Sequence, residues 1–357
     1  MVHLILLAIV LVAFFGQKNK LAFPFAMTAL GVFSALRYDF ASDYQNYYIW
    51  YNEVHLPGAV LGPDEFLYNI LNYVAPHYFW VIAVTSVIFL YGIYYLIRKH
   101  LPLQHQWLGL TVFLINPYLF LMNLSAIRQS IALILFIFAI DFAYKKKPVP
   151  YILLIVLAIF FHKSAVILFP FYFVANDRPF RRRTVLAVLA GVLALLFVVD
   201  LNNITNLVAR WTRDSNYLYY ATTSEQNSLR ATLLTSLFFL YVLANLNKLE
   251  GKTLVYGKFY LIATVFGILA FRLSLFTRIQ MYFDIFSVIT LPAVFFEIQK
   301  RGRVKLNLQN PMATLWGCFN KYALPALLVI VYLLRYYSFF ANPMWSAFDH
   351  YQTIFAA

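Results

Sequence analysis

The residues able to do chemistry in this chain are few and set in apolar surroundings. Arg128 and Gln129 open one apolar run within NLSAIRQSIALILFIF (Asn123–Phe138). His162, Lys163 and Ser164 interrupt another, from Tyr151 to Ala175, and Arg272, Arg278, Gln280, Tyr282 and Asp284 lie within FRLSLFTRIQMYFD (Phe271–Asp284). Arginine is charged at any working pH, and at a bilayer centre it costs about 2.5–3.5 kcal/mol or more, so it needs a partner. Three guanidiniums, from Arg128, Arg272 and Arg278, would clamp a pyrophosphate through charge-assisted hydrogen bonds and stabilise it as a leaving group. Snorkelling to the interface is the competing account of Arg128. It is awkward for two arginines in one tight turn, where Asp284 is a candidate internal partner for one of them. His162 suits proton transfer, with an unperturbed pKa of about 6.5, although a lone histidine is more often structural. Asp39 and Asp43 are alternative bases, sharing one face if their region is helical. No phosphate-cradling glycine loop, HExxH, GxSxG or metal-ligand cysteine pair is present. The sole cysteine, Cys318, supports neither a disulfide framework nor a thiol metal cluster.

Long apolar helices must hold these groups. Of 357 residues, 62% are hydrophobic and 12% charged, with mean hydropathy +0.71, which is too apolar for a water-facing domain. Helix-length apolar blocks recur throughout and short alternating strands do not, so the expected class is an all-α polytopic membrane protein forming one transmembrane domain over 1–357. The expected spans are Leu4–Phe15 (a retained span, without a cleavage site), Leu21–Leu36, Tyr78–Ile97, Trp107–Leu124, Ile127–Tyr144, Tyr151–Ala175, Thr184–Val199, Ala231–Leu246, Phe259–Phe276, Ile279–Ile298 and Tyr322–Phe340.

Basic clusters between them mark the cytoplasmic side. Lys145–Lys147 and Arg178–Arg183 flank Tyr151–Ala175, and one crossing would put them on opposite faces. That stretch therefore reads as two short helices, Pro150–Phe161 and Ser164–Ala175, with His162 at the tip of a hairpin; a single helix with a polar middle is the alternative. About 12 membrane segments result, with both termini outward. Nineteen of the 28 basic residues then fall in cytoplasmic clusters, and Arg37, Arg128, Lys163, Arg210, Arg213, Arg230, Arg272, Arg278 and Arg335 fall on or near the outer half.

Two outer segments are large. The segment 37–77 is rich in Tyr, Trp, Asp, Glu and Asn and is expected to lie on the membrane as amphipathic helices, Asp43–Glu53 and Pro63–Tyr73, the second started by GPDE. The segment 200–230 holds Arg210, Trp211, Arg213, Asp214 and Glu225. Aromatic faces, carboxylates and amides suit sugars, and for any single tyrosine an interfacial belt is the alternative.

Together the motifs resemble the EpsG-like branch of Wzy-type polysaccharide polymerases. The resemblance rests on Arg37-Tyr38-Asp39 through SDYQNYY, GPDEFLYNIL, NLSAIRQSIAL, LAIFFHKSAVILFP and FRLSLFTRIQMYFDIFSVITLP, in the family's order over nearly the whole chain; the terminal DHYQTIF is similar to its closing pattern, with His350 where proline is expected. It implies a GT-C-type glycosyltransferase of the bacterial inner membrane, working at the outer face without metal or cofactor. Such an enzyme moves a growing glycan from undecaprenyl diphosphate to the non-reducing end of a lipid-linked repeat. Its partners would be undecaprenyl-diphosphate-linked oligosaccharide and membrane lipids, with room for a chain-length regulator and no nucleic acid. By position, Arg128, Arg272 and Arg278 would bind the diphosphate, and His162, Asp43 or Asp39 would act as base. Gln129, Arg37, Tyr282, Arg210 and Arg213 would support the glycan. An O-antigen ligase-like transferase is the nearest alternative, and a lipid-linked oligosaccharide flippase is the alternative of another class, which would want paired broken helices.

Overall fold

A computed structural model describes residues 2–62, 64–197, 229–273, 275–300 and 311–356. The described chain divides into two units, Met1–Asn176 with Tyr332–Ala357, and Asp177–Val331.

The first unit contains α1 (Val2–Phe15), α2 (Ala22–Ala35), β1 (Arg37–Tyr38), α3 (Tyr44–Val54), α4 (Phe66–Val74), α5 (Tyr78–His100), α6 (Gln106–Ile115), α7 (Leu121–Ser125), α8 (Ile127–Tyr144) and α9 (Pro148–Phe161). A 3-10 helix, Lys163–Phe173, follows α9, and the C-terminal tail adds β2 (Gln352–Thr353). Helices α5 and α8 are long and apolar enough to cross a membrane. They lie against each other, with α2 on α5 and α9 on α8. At their crossing Gly92 admits Ile134, three atoms of which lie within 2.8 Å of where a Cβ would stand. Near one end of the pair Asp141 of α8 is bound by Lys99 and by the Tyr95 hydroxyl, 2.6 Å away. Arg128 begins the same helix thirteen residues earlier, about 20 Å along its axis.

The expected single span Trp107–Leu124 is broken between α6 and α7. Pro117 cannot donate to a helical ladder, and the Asn116 side chain accepts from the Tyr118 amide (3.3 Å) to form a turn in its place. Helix α7 is then fastened to α8, because the Ser130 hydroxyl donates to the backbone carbonyl and side-chain oxygen of Asn123 at 2.6 and 3.0 Å. The chain also breaks at His162, whose backbone is extended (φ −154°, ψ 115°). Beyond it the 3-10 helix folds back on α9, where the Tyr151 hydroxyl donates to the Leu168 carbonyl at 2.6 Å. The second arm was expected to be α-helical over Ser164–Ala175. It is wound as a 3-10 helix instead, and Pro170 within it cannot donate to an α-helical ladder. The tail closes on this unit, with β2 antiparallel to β1, Arg37 facing Thr353 and Tyr38 facing Gln352.

The second unit contains α10 (Arg182–Phe197), α11 (Leu229–Asn245), α12 (Gly251–Leu269), α13 (Leu275–Asp284), α14 (Ser287–Lys300), α15 (Pro311–Cys318) and, after the π-helical turn Phe319–Ala323, α16 (Leu324–Ala341), whose last turns belong to the first unit. Helix α12 and the 28-residue run Thr314–Ala341 have the length and apolarity of membrane spans. Helices α13 and α14 together would make one more, bent by 54°. At the bend the Ser287 hydroxyl donates to the Asp284 carbonyl (2.6 Å), a local bond that competes with the helical ladder.

By length and composition the described residues thus hold four spanning helices, or five with the bent pair, against about 12 membrane segments expected from the sequence. Five apolar helices of 10–17 residues make up much of the difference. A 14-residue α-helix is about 21 Å long, short of a hydrocarbon core of about 30 Å.

Candidate active site

Arg128 and His162 meet on one carboxylate. Glu65 Oε2 is bound by the Arg128 guanidinium, and Glu65 Oε1 lies 2.7 Å from His162 Nδ1. The side chains are 6% exposed for Glu65 and 12% for His162, against 25% for Arg128, so the guanidinium is the most open of the three. Each comes from a different break. Arg128 begins α8, His162 is the tip of the α9 hairpin, and Glu65 is the residue before α4.

Glu65 has a left-handed backbone, φ +51° and ψ +43°. That region is sparsely used by residues other than glycine and stores strain. The ordinary use of a carboxylate here would be to cap α4, yet the Glu65 side chain makes no cap bond and is turned to Arg128 and His162 instead. Burial alone would push its pKa up; the His162 hydrogen bond and the Arg128 charge outweigh burial and hold it below 4.5. Glu65 is therefore ionised and accepts only. It follows that His162 Nδ1 carries the proton and donates, leaving Nε2 with the lone pair in the neutral ring.

Aromatic rings surround the guanidinium, with centroids 4.6 Å away for Trp50, 5.3 Å for Tyr47 and 5.9 Å for Tyr68. These rings come from α3 and α4, whose tyrosines Tyr44, Tyr47, Tyr51 and Tyr68 pack with Tyr78, Val81, Ile82 and Ile127. Cation–π attraction of this kind is worth roughly 0.5–2 kcal/mol per favourable ring. Beside this centre Asp64 pairs with Lys163 at 2.8 Å, so Asp64-Glu65 runs along His162-Lys163 as two adjacent rungs. Among the described residues no group of three or more His, Cys, Asp or Glu is arranged to hold a metal.

The remaining sequence candidates are placed as follows. Asp39 and Asp43 do not share a helix face. Asp39 sits in a turn at φ +44° and accepts from the Gln45 amide, while Asp43 is the residue before α3, its backbone N–H donating to the Ser125 hydroxyl at 3.0 Å. Helix α3 starts at Tyr44, after both aspartates, so neither lies in a helix. Arg37 is 1% exposed, and its guanidinium donates to the Ser34 carbonyl (2.6 Å), the Ser86 hydroxyl and the Leu124 carbonyl (3.1 Å), bracing α2, α5 and α7. Gln129 is buried in α8. Arg272, Arg278 and Tyr282 lie in the second unit: Arg272 exposed in the turn before α13, Arg278 half-buried and Tyr282 fully buried one helical turn apart. Arg210 and Arg213 lie outside the described residues.

The sequence reading missed Glu65 as a site residue, taking GPDE as a helix start and as part of a family motif. Its signal was present, since an arginine in an apolar run demands an anion and GPDEFLYNIL carries carboxylates within an aromatic segment.

A helical membrane protein with an arginine, a histidine and a carboxylate gathered at breaks in its helices is the class that fold and site define. The EpsG family model matches residues 20–316, and the chain belongs to the EpsG family. No curated protein and no solved structure matches it. The match encloses Glu65, Arg128, His162, Arg272 and Arg278, and membership points to a polysaccharide polymerase-like activity in the membrane.

Proposed function

We propose that this protein extends a polysaccharide by moving a growing glycan from undecaprenyl diphosphate to the terminal sugar of a second lipid-linked repeat, with the Glu65, Arg128 and His162 cluster as its reaction centre. The observation that carries the reading is the bridging of Arg128 and His162 by Glu65.

In the resting arrangement Glu65 occupies the guanidinium as an internal anion. A diphosphate would compete for the same donors with more charge and more acceptor oxygens. Glu65 would keep its bond to His162, holding the tautomer in which Nε2 accepts a proton. His162 Nε2 is buried in this arrangement, and once acceptor binding uncovers it, the acceptor hydroxyl loses its proton to it as its oxygen bonds the anomeric carbon. The bond from that carbon to the phosphate oxygen breaks, and undecaprenyl diphosphate departs with the electron pair, its charge met by Arg128. Arg272 and Arg278 are assigned to the same diphosphate by their positions in the family's arginine element, and the aromatic 37–77 segment to the glycan. The location is the bacterial inner membrane with the site at its outer face, an orientation supported by the distribution of basic clusters.

In cells, Arg128→Ala and Arg278→Ala should leave protein level intact and stop long-chain formation, read on a gel of extracted polysaccharide. Normal chain lengths in both variants would sink the assignment.

A further inference from the structure

Beside the Glu65 centre, an open cleft of about 260 Å³ is lined by Trp50, Glu53, Val54, Asp64 and Asn69, together with residues 59–62 of the loop between α3 and α4. At this size it falls just below the range of pockets for drug-sized ligands, about 300–1,000 Å³, which suits a single sugar ring better than an oligosaccharide.

Its walls are fixed before anything binds. Asn69 is buried, and its side-chain oxygen accepts from the Trp50 indole N–H at 3.0 Å, while its amide nitrogen donates to the carbonyls of Asp64 (3.0 Å) and Gly62 (3.3 Å). One side chain thus sets both the ring and the loop facing it. Tyr68 meets the Trp50 ring edge-on at 5.7 Å, and the Arg128 guanidinium lies 4.6 Å from its centroid. Trp50 is therefore common to the cleft and the reaction centre. So is the chain itself, because Asp64 lines the cleft and its neighbour Glu65 holds Arg128 and His162.

The lining offers an aromatic surface for sugar C–H groups and carboxylates that accept from hydroxyl or ammonium donors. Among the described residues it includes two carboxylates, Glu53 and Asp64, and no cation. Lys163, at the edge, offsets Asp64 alone, so Glu53 leaves the rim negative.

We propose that this cleft is the subsite for the terminal sugar of the acceptor, and that it takes an uncharged or amine-bearing sugar and disfavours one carrying a carboxylate. The identity of the occupant as acceptor rests on the transfer reading above, while the binding preference does not. An uncharged ring would lie along Trp50 with hydroxyls on Glu53 and Asp64, the latter next in the chain to the Glu65 that binds His162. A uronic acid would bring its charge against the same two groups.

The test is direct binding by full-length protein in lipid nanodiscs, using saturation-transfer NMR with three probes: an N-acetylglucosamine disaccharide, its de-acetylated amine form and a glucuronic-acid-containing disaccharide. The first two should bind, and the acidic one should bind more weakly by about fivefold or more. Glu53→Gln with Asp64→Asn, which changes side chains at the protein surface and keeps their shapes, should bring the three within about twofold. Equal binding of the acidic and neutral sugars by the wild type, a preference untouched by the double substitution, or no binding of any probe would each overturn the proposal. The preference in a protein that builds no chains from a lipid-linked repeat would retain the sugar site and remove the transfer reading; chain building with an equal taste for acidic sugars would do the reverse.

Discussion

Glu65 serves two partners at once, and its strained backbone shows what that costs. A left-handed non-glycine residue costs of order 1–3 kcal/mol, and it is kept here because the side chain bridges two groups from distant parts of the chain. The lowered pKa gives this a pH signature. Stability contributed by a carboxyl held below its unfolded value is complete above that value, 4.5, and is lost as pH falls from there through the folded-state value. Glu65→Gln should therefore lower the melting temperature of the purified protein at pH 7, and the gap to wild type should close as the pH is taken below about 4.5. A gap independent of pH would mean that Glu65 stabilises through shape alone. The same variant should lose most activity because the tautomer of His162 is no longer fixed, while binding the diphosphate at least as tightly, because the anion competing for Arg128 is gone. At this scale the sequence reading found the two ends of the bridge and not its middle. Arg128 and His162 stand out as polar groups in apolar runs. Glu65 sits in a loop where a carboxylate is ordinary, 63 residues from Arg128 and 97 from His162, and only the folded chain brings them together.

The elements that position this bridge owe their geometry to close packing and to breaks. Gly92→Ala would drive a methyl group into Ile134 and loosen the packing of α5 on α8, the helix whose start carries Arg128. Overpacking of this kind costs about 1–3 kcal/mol, and Gly92→Ala combined with Ile134→Ala should recover part of the loss in a thermal-unfolding cycle; simple additivity of the two costs would argue against the contact. Tyr151→Phe removes the donor to the buried Leu168 carbonyl that ties the two arms of the hairpin. About 1–3 kcal/mol should go with it, and hydrogen exchange across Lys163–Phe173 should rise before exchange in α8. The limits of α8 were legible because an apolar run bounded by Ile127 and Tyr144 has no internal breaker. The break between α6 and α7 was overlooked because apolar residues continue across Asn116-Pro117, and hydropathy weighs them above the missing proline donor. The split at His162 came from the charge rule, since two basic clusters flanked one apolar stretch.

On the scale of the whole molecule, composition settled the class, and the family resemblance read from the motifs agrees with the family model that matches residues 20–316. The number of crossings was less legible, because apolar content does not separate a full span from the shorter helices of 10–17 residues. Arg272 and Arg278 belong to the second unit, on a turn and on the helix that follows it. The diphosphate contact proposed for them is tested with substrate. The most direct measurement is ladder formation by purified full-length protein in liposomes with a defined lipid-linked repeat, comparing wild type, Arg128→Ala and His162→Ala. Wild type should give a ladder of repeats, and removing the charge that meets the departing diphosphate should slow it by about 10²–10³-fold, with loss of the ladder in the histidine variant as well. Ladders of wild-type length and rate from either variant would contradict the assignment of Arg128, Glu65 and His162 as the reaction centre.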